Sequence, residues 1–136
     1  MTGATDPIRI TGVCGSLNPH GATKKALALA LQGAAEYNAE TSLLELRNFD
    51  LVFCGSVPED EYPPDVFALR KILRESQGII LATPEYHGSL TGVLKNMLDL
   101  MSIEELETKI VGLIGVAGGH VGAIHSLNTM KTICRN

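Results

Sequence analysis

The sequence predicts an α/β protein built on a doubly wound parallel sheet of four strands, with helices on both faces. Strand-like and helix-like segments alternate four times along the chain, an order that covers both faces of a sheet through right-handed crossovers. Residues 78–82 and 109–116 are apolar runs without alternation, as parallel strands buried on both faces require. Three unusual loops, at residues 12–23, 83–89 and 118–122, each follow a strand candidate. In such a sheet they converge beyond the carboxyl ends of the strands, where ligands bind.

The elements follow in order. Residues 8–13 form the first strand, and residues 23–37, dense in alanine and leucine, the first helix. Residues 40–46 have strand character through Leu43, Leu44 and Leu46. Residues 47–62, with Pro58, Glu59, Asp60 and Glu61, read as a solvated loop. Pro63 and Pro64 introduce a helix whose apolar face is Val66, Leu69, Ile72 and Leu73. Residues 78–82 are the central strand, and Thr91 is placed to cap a third helix striped by Leu94, Met97, Leu98 and Met101. Residues 109–116 supply a fourth, doubly buried strand, and residues 121–136 a final helix. One domain, residues 1–136, accounts for the whole.

Composition narrows the function classes. The net charge is −4, and the lysines and arginines are scattered, so no basic track exists for a nucleic acid. The amino terminus lacks a basic start followed by an apolar stretch, and no run is long enough to cross a bilayer; a soluble cytoplasmic protein is the expectation. Cys14, Cys54 and Cys134 are far apart with no Cys-x-x-Cys pair, which points to reduced thiols, Cys14 as a small buried hydrophobe.

The first loop has the make-up of a phosphate cradle. Its glycines admit a close anion, Ser16, Asn18 and Thr23 supply polar groups, and the following helix start offers free N–H donors, with Thr23 also placed to cap that helix. It lacks the lysine-serine end of an ATP-binding loop and the Gly-x-Gly-x-x-Gly spacing of a dinucleotide site, so a mononucleotide phosphate fits better. In the second loop a proline-stiffened backbone at Pro84 can meet a flat heterocycle, Tyr86 can flank it, and Glu85 reads as solvated or as a helix-dipole partner rather than as a base. Lys95 pairs with Asp99, and Asn96 either ties down the loop or faces solvent. In the third loop Gly118, Gly119 and Gly122 allow close packing against a ligand, or simply a sharp turn. His20, His87 and His120 fall one to each loop, without ligand spacing on a shared helix, so no metal site is assigned.

The string Thr83-Pro84-Glu85-Tyr86-His87-Gly88-Ser89-Leu90-Thr91-Gly92-Val93-Leu94-Lys95-Asn96-Met97-Leu98-Asp99, with Gly15-Ser16-Leu17 before it and Gly118-Gly119-x-x-Gly122-Ala123 after it, resembles the NADPH-dependent FMN reductase family of flavodoxin-like proteins. The resemblance runs from about Ile8 to the end of the chain and implies bound FMN, NADPH or NADH as hydride donor, and a homodimer or homotetramer. By it, Gly15, Ser16, Asn18 and Thr23 hold the FMN phosphate; Pro84, Glu85, Tyr86, His87 and Ser89 border the isoalloxazine; Gly118 and Gly119 close its other side. The family often has arginine at Asn18, serine at Gly21 and asparagine at His87, so the phosphate end here lacks one charge and one hydroxyl. It also normally continues into a fifth strand and closing helix, whose absence would leave residues 110–116 as an apolar edge.

The leading reading is therefore a reductase passing hydride from NADPH to FMN and electrons to a second acceptor: free FMN, a quinone, an azo compound or a metal oxyanion. No catalytic side chain is required, because the cofactor carries the chemistry. A flavodoxin-like electron carrier without NADPH activity, or an inactive truncated subunit, are the alternatives.

Overall fold

In the computed structural model, which describes residues 6–135, four strands form one parallel sheet in the order β2-β1-β3-β4. They are β1 (Arg9–Cys14), β2 (Glu40–Glu45), β3 (Gly78–Pro84) and β4 (Ile110–Val116). The helices are α1 (Ala22–Glu36), α2 (Pro64–Glu75), α3 (Gly92–Leu100), a one-turn α4 (Ile103–Leu106) and α5 (Ile124–Arg135). The doubly wound prediction holds. Winding reverses between β1 and β3, which are paired from Ile10 opposite Gly78 to Cys14 opposite Ala82, so the carboxyl ends of these two strands form the switch point.

Alternate residues of each strand feed separate cores, which is why both faces must be covered. Cys14 and Ala82 pack with Leu27 and Leu31 of α1 on one side, while Val13, Ile79 and Leu81 pack with Leu69, Leu73, Leu94, Met97 and Met130 on the other. Burial raises the Cys14 thiol, opposed by its hydrogen bond to the Ser16 carbonyl, and keeps it a small hydrophobe. β4 departs from the doubly buried expectation: it pairs only with β3 among the described residues, none of its residues is fully buried, and Ile110 is 80% exposed. The apolar run alone suggested a doubly buried strand, whereas the family resemblance pointed to an apolar edge, and among the described residues the sheet has the edge. The last helix starts at Ile124, with Gly122 in the left-handed region before it, and residues 1–5 and 136 of the predicted domain and helix lie outside the described residues.

The segment between β2 and α2 is less solvated than expected. Phe49 and Leu51 pack against the core, Asp65 accepts from the Asp50 N–H at 2.7 Å, and Arg70 binds both Glu59 and the Leu100 carbonyl at the end of α3. Polar composition concealed these anchors.

The one-turn α4 exists because of a capping box. Glu105 reaches back to the Ser102 N–H and hydroxyl, both at 2.7 Å, and its other oxygen takes Arg74 from α2 at 2.5 Å. Burial alone would raise this fully buried carboxyl, but the Ser102 bonds and Arg74 outweigh it and hold it below its ordinary 4.5. Because the folded value lies below the unfolded one, the stabilisation is present above about pH 5 and is lost as pH falls through the folded value. Glu105→Gln is expected to cost about 1–3 kcal/mol at neutral pH. The gap to the parent, measured by urea unfolding from pH 7 down to pH 3, should close on acidification; a constant gap would contradict the assignment.

Candidate functional site

The three loops meet beyond the strand ends and are joined by specific bonds. Gly15 donates its N–H to the Ala82 carbonyl at 2.8 Å, and a Cβ there would sit 2.9 Å from that oxygen, so only glycine fits. The Thr91 hydroxyl donates to the Gly15 carbonyl at 2.7 Å while accepting from the Leu94 N–H at 3.3 Å, so the predicted cap of α3 also fastens the first loop. The buried Thr83 hydroxyl accepts from the Thr91 N–H at 3.1 Å and donates to the Pro84 carbonyl at 2.7 Å. The second loop is joined to the third through Glu85, whose N–H donates to the Val116 carbonyl at 3.1 Å and whose carboxylate accepts from the Ser126 N–H at 2.9 Å, in the first turn of α5. That bond, with the nearby His125, holds the Glu85 carboxyl below its ordinary value against the opposing effect of burial. Glu85 is thus an ionised helix-dipole partner.

At the first loop, the Ser16 hydroxyl accepts from the Asn18 N–H at 3.2 Å, and the Asn18 amide oxygen accepts from the His20 N–H at 3.0 Å. The loop's polar side chains therefore serve its own backbone. Here the structure corrects the expected cap: α1 begins at Ala22 with Gly21 as N-cap, no side chain caps it, and buried Thr23 is its second residue. Side-chain type alone favoured threonine, but the bend at Gly21 begins the helix one residue earlier. The first-turn N–H groups of α1 consequently point at the loop without a side-chain acceptor, an anion-binding arrangement.

The second loop ends in a two-residue turn. Tyr86 and Ser89 exchange backbone hydrogen bonds at 3.0 and 3.2 Å across His87 and Gly88, which have φ of 51° and 75°. Both central positions are left-handed, a conformation that asparagine adopts more readily than histidine. The turn projects Tyr86, 59% exposed, over a groove of about 310 Å³ lined also by Gly15, Leu17, Asn18, Thr91, Gly92 and Val93. Across the sheet end, Gly118 and Gly119 have neither positive φ nor any atom within 4 Å of where a Cβ would stand. Nothing in the protein requires glycine there, so the open space is available to a ligand. Lys95 pairs with Asp99 at 2.6 Å as expected. Asn96 fastens a different loop from the neighbouring one, accepting from the Cys54 N–H and donating to the Val52 carbonyl, both at 2.9 Å. His20, His87 and His120 stand on the three loops, and no group of three metal-ligating side chains is assembled among the described residues.

This geometry has clear relatives. A model of the family described as NADPH-dependent FMN reductase matches residues 8–136. The chain belongs to that family. An FMN-dependent NADPH-azoreductase of Staphylococcus aureus (strain USA300) is 33% identical over 130 residues, covering 79% of this chain and 69% of that protein. An NADPH azoreductase of Bacillus sp. (strain OY1-2) is 45% identical over 62 residues, covering 46% of this chain and only 35% of that protein. Among solved structures, the apo form of NADH:FMN oxidoreductase (EMOB) superposes with a TM-score of 0.80 at 21% identity, over 93% of this chain and 67% of that one. FerB, a flavoenzyme NAD(P)H:(acceptor) oxidoreductase from Paracoccus denitrificans, gives 0.80 at 25% identity, over 94% and 71%. The flavodoxin-like fold of this reductase family is thereby established, and no helix among the described residues is long and apolar enough to cross a membrane.

The uncapped helix start and the groove beneath Tyr86 lie on either side of Asn18, and Gly118 and Gly119 leave open space beyond the end of β4. Sequence reasoning missed the Thr83–Thr91–Gly15 connection and the Asn96 clamp. A threonine before Pro84 and an asparagine in mid-helix were the available signals, but their partners lie far away in sequence. Thr91→Val keeps the shape but leaves the Gly15 carbonyl and the α3 start unpaired, with an expected loss of about 2 kcal/mol, while Thr91→Ser costs less than about 1. Denaturant unfolding of the two variants checks this; equal losses would show that the methyl group, not the hydroxyl, matters.

Proposed function

We propose that this chain binds FMN and works as an NAD(P)H-dependent reductase that passes electrons to a second, small acceptor. The observation that carries the reading is the junction of three loops whose donors and open glycine edge match the parts of FMN, within a chain of the FMN reductase family. The bound flavin supplies the hydride and electron chemistry. Backbone N–H groups at Ala22 and Thr23, with the Ser16 hydroxyl and the Asn18 side-chain amide, receive the phosphate, and Gly15 holds the loop in place through its bonds to Ala82 and Thr91. Without arginine at Asn18, this end relies on the helix start rather than on a side-chain charge. Pro84, Glu85, Tyr86, His87 and Ser89 border the ring, Glu85 through its backbone, since its carboxylate is engaged by α5. Gly118 and Gly119 leave room at the other edge.

Mechanistically, the residues bind and orient rather than exchange protons. Glu85 stays ionised through its helix bond, and the buried hydroxyls of Thr83 and Thr91 are spent on backbone groups. The acceptor is a small molecule such as a quinone or an azo compound. The protein works in the cytoplasm and as a homodimer or homotetramer.

Two measurements test the reading. Purified protein supplied with FMN should be yellow, and NADPH added anaerobically should bleach the flavin rapidly; flavin that binds but is not bleached would mark an electron carrier instead, and no binding would refute the site. Gly119→Val fills open space, so the melting temperature without FMN should stay within about 2 °C of the parent, while FMN affinity measured by fluorescence quenching should fall at least about tenfold. Unchanged affinity would remove Gly119 from the site.

A further inference from the structure

The third loop is held at its two ends by one residue of the second. Ala117 and the loop after it are exposed throughout, and within this stretch the Gly122 N–H donates to the Gly119 carbonyl at 3.1 Å. At the entry, the Val116 carbonyl accepts from the Glu85 N–H at 3.1 Å. At the exit, Ala123 packs on Gly115, where an added Cβ would come within 2.7 Å of the Ala123 Cβ, and the Glu85 carboxylate accepts from the Ser126 N–H at 2.9 Å. The backbone of Glu85 thus fixes where the loop begins, and its side chain fixes where the loop runs into α5.

Ser126 brings a second donor to the same place. Its hydroxyl is fully buried and is the one buried side-chain polar atom among the described residues without a hydrogen-bond partner. The Ser126 N–H, and against the opposing effect of burial the hydroxyl of the same residue, keep the Glu85 carboxyl ionised, so the hydroxyl stands near the carboxylate without being aligned to bond it. An unpaired buried hydroxyl is costly, and a serine side chain turns among three staggered positions.

We propose that Glu85 and Ser126 are a positioning pair for FMN, in which the Ser126 hydroxyl joins its own N–H on the Glu85 carboxylate as the third loop closes on the ring. The proposal rests on the FMN reading and adds to it the contact that couples ring binding to the order of the third loop. A ligand shifts a loop only by favouring one of its arrangements, and here the arrangement that meets the ligand is also the one that pairs the orphaned donor. Removing the hydroxyl therefore costs the protein without FMN nothing and takes away part of what FMN binding gains.

The test uses the full chain with Ser126→Ala, which keeps the N–H, with Glu85→Gln, which keeps the shape without the charge, and with both. Without FMN, the melting temperature of Ser126→Ala should lie within about 2 °C of the parent or above it, whereas that of Glu85→Gln should fall. FMN affinity, read by fluorescence quenching, should drop about tenfold in each single variant and no further in the double one, because the two residues act as one contact. Hydrogen exchange over residues 117–126 should slow when FMN is added to the parent and change little in Ser126→Ala. A Ser126→Ala protein that melts lower yet binds FMN as the parent does marks a purely structural serine and overturns the pair, and so do losses of affinity that add in the double variant. A parent chain that takes up no FMN defeats the FMN reading and the pair together, while FMN bound equally by parent and Ser126→Ala defeats the pair alone.

Discussion

The hydrogen bond from the Thr91 hydroxyl to the Gly15 carbonyl, 2.7 Å long and buried, is the contact on which the arrangement of the site depends. Parallel strands deliver their loops to one end of a sheet but do not fix them to one another. Thr91 does so from a loop 76 residues away, and because the same oxygen accepts from the Leu94 N–H, the start of α3 and the turn after β1 are set by one side chain. Thr83 and Glu85 carry the connection onward, to the Pro84 carbonyl and to the first turn of α5.

This network divides polar groups into two classes. Ser16, Asn18, Thr83, Thr91 and Glu85 direct their side chains at backbone groups and build the loops. What they leave open is backbone and space: the first turn of α1, the groove under Tyr86, and the side of Gly118 and Gly119 where no protein atom stands. A family whose cofactor performs the redox chemistry needs this division, because its protein must present donors in fixed positions rather than supply an acid or a nucleophile. The segment after β2 follows the same pattern, with Asn96 consumed in holding the loop while Phe53 and Arg47 remain free.

Much of the fold was legible because its signals are local. Proline pairs begin helices, as at Pro64; apolar runs make strands; and Thr91 is a cap whichever protein contains it. Errors arose where two local solutions were nearly equal or the deciding partner was remote. Gly21 displaced Thr23 at the start of α1 because a helix tolerates glycine at its N-cap almost as well as a hydroxyl residue. The stretch after β2 was read as solvated because the groups that anchor it, Asp65, Arg70 and Asn96, belong to helices further along the chain. The conformation at His87 became intelligible only as backbone: φ is positive at both His87 and Gly88, a region that histidine and asparagine enter more readily than most residues.

The sequence by itself determined the order of strands and helices, the parallel doubly wound class and the three loops that meet at its switch point, because periodicity and turn chemistry act over a few residues. Only the tertiary structure decided that later helices anchor the segment after β2, that Glu85 serves α5, and that Asn96 presents Phe53 beside the groove. Those outcomes depend on which groups meet across tens of residues, and a hydrogen bond or a buried face has no direction until its partner is in place.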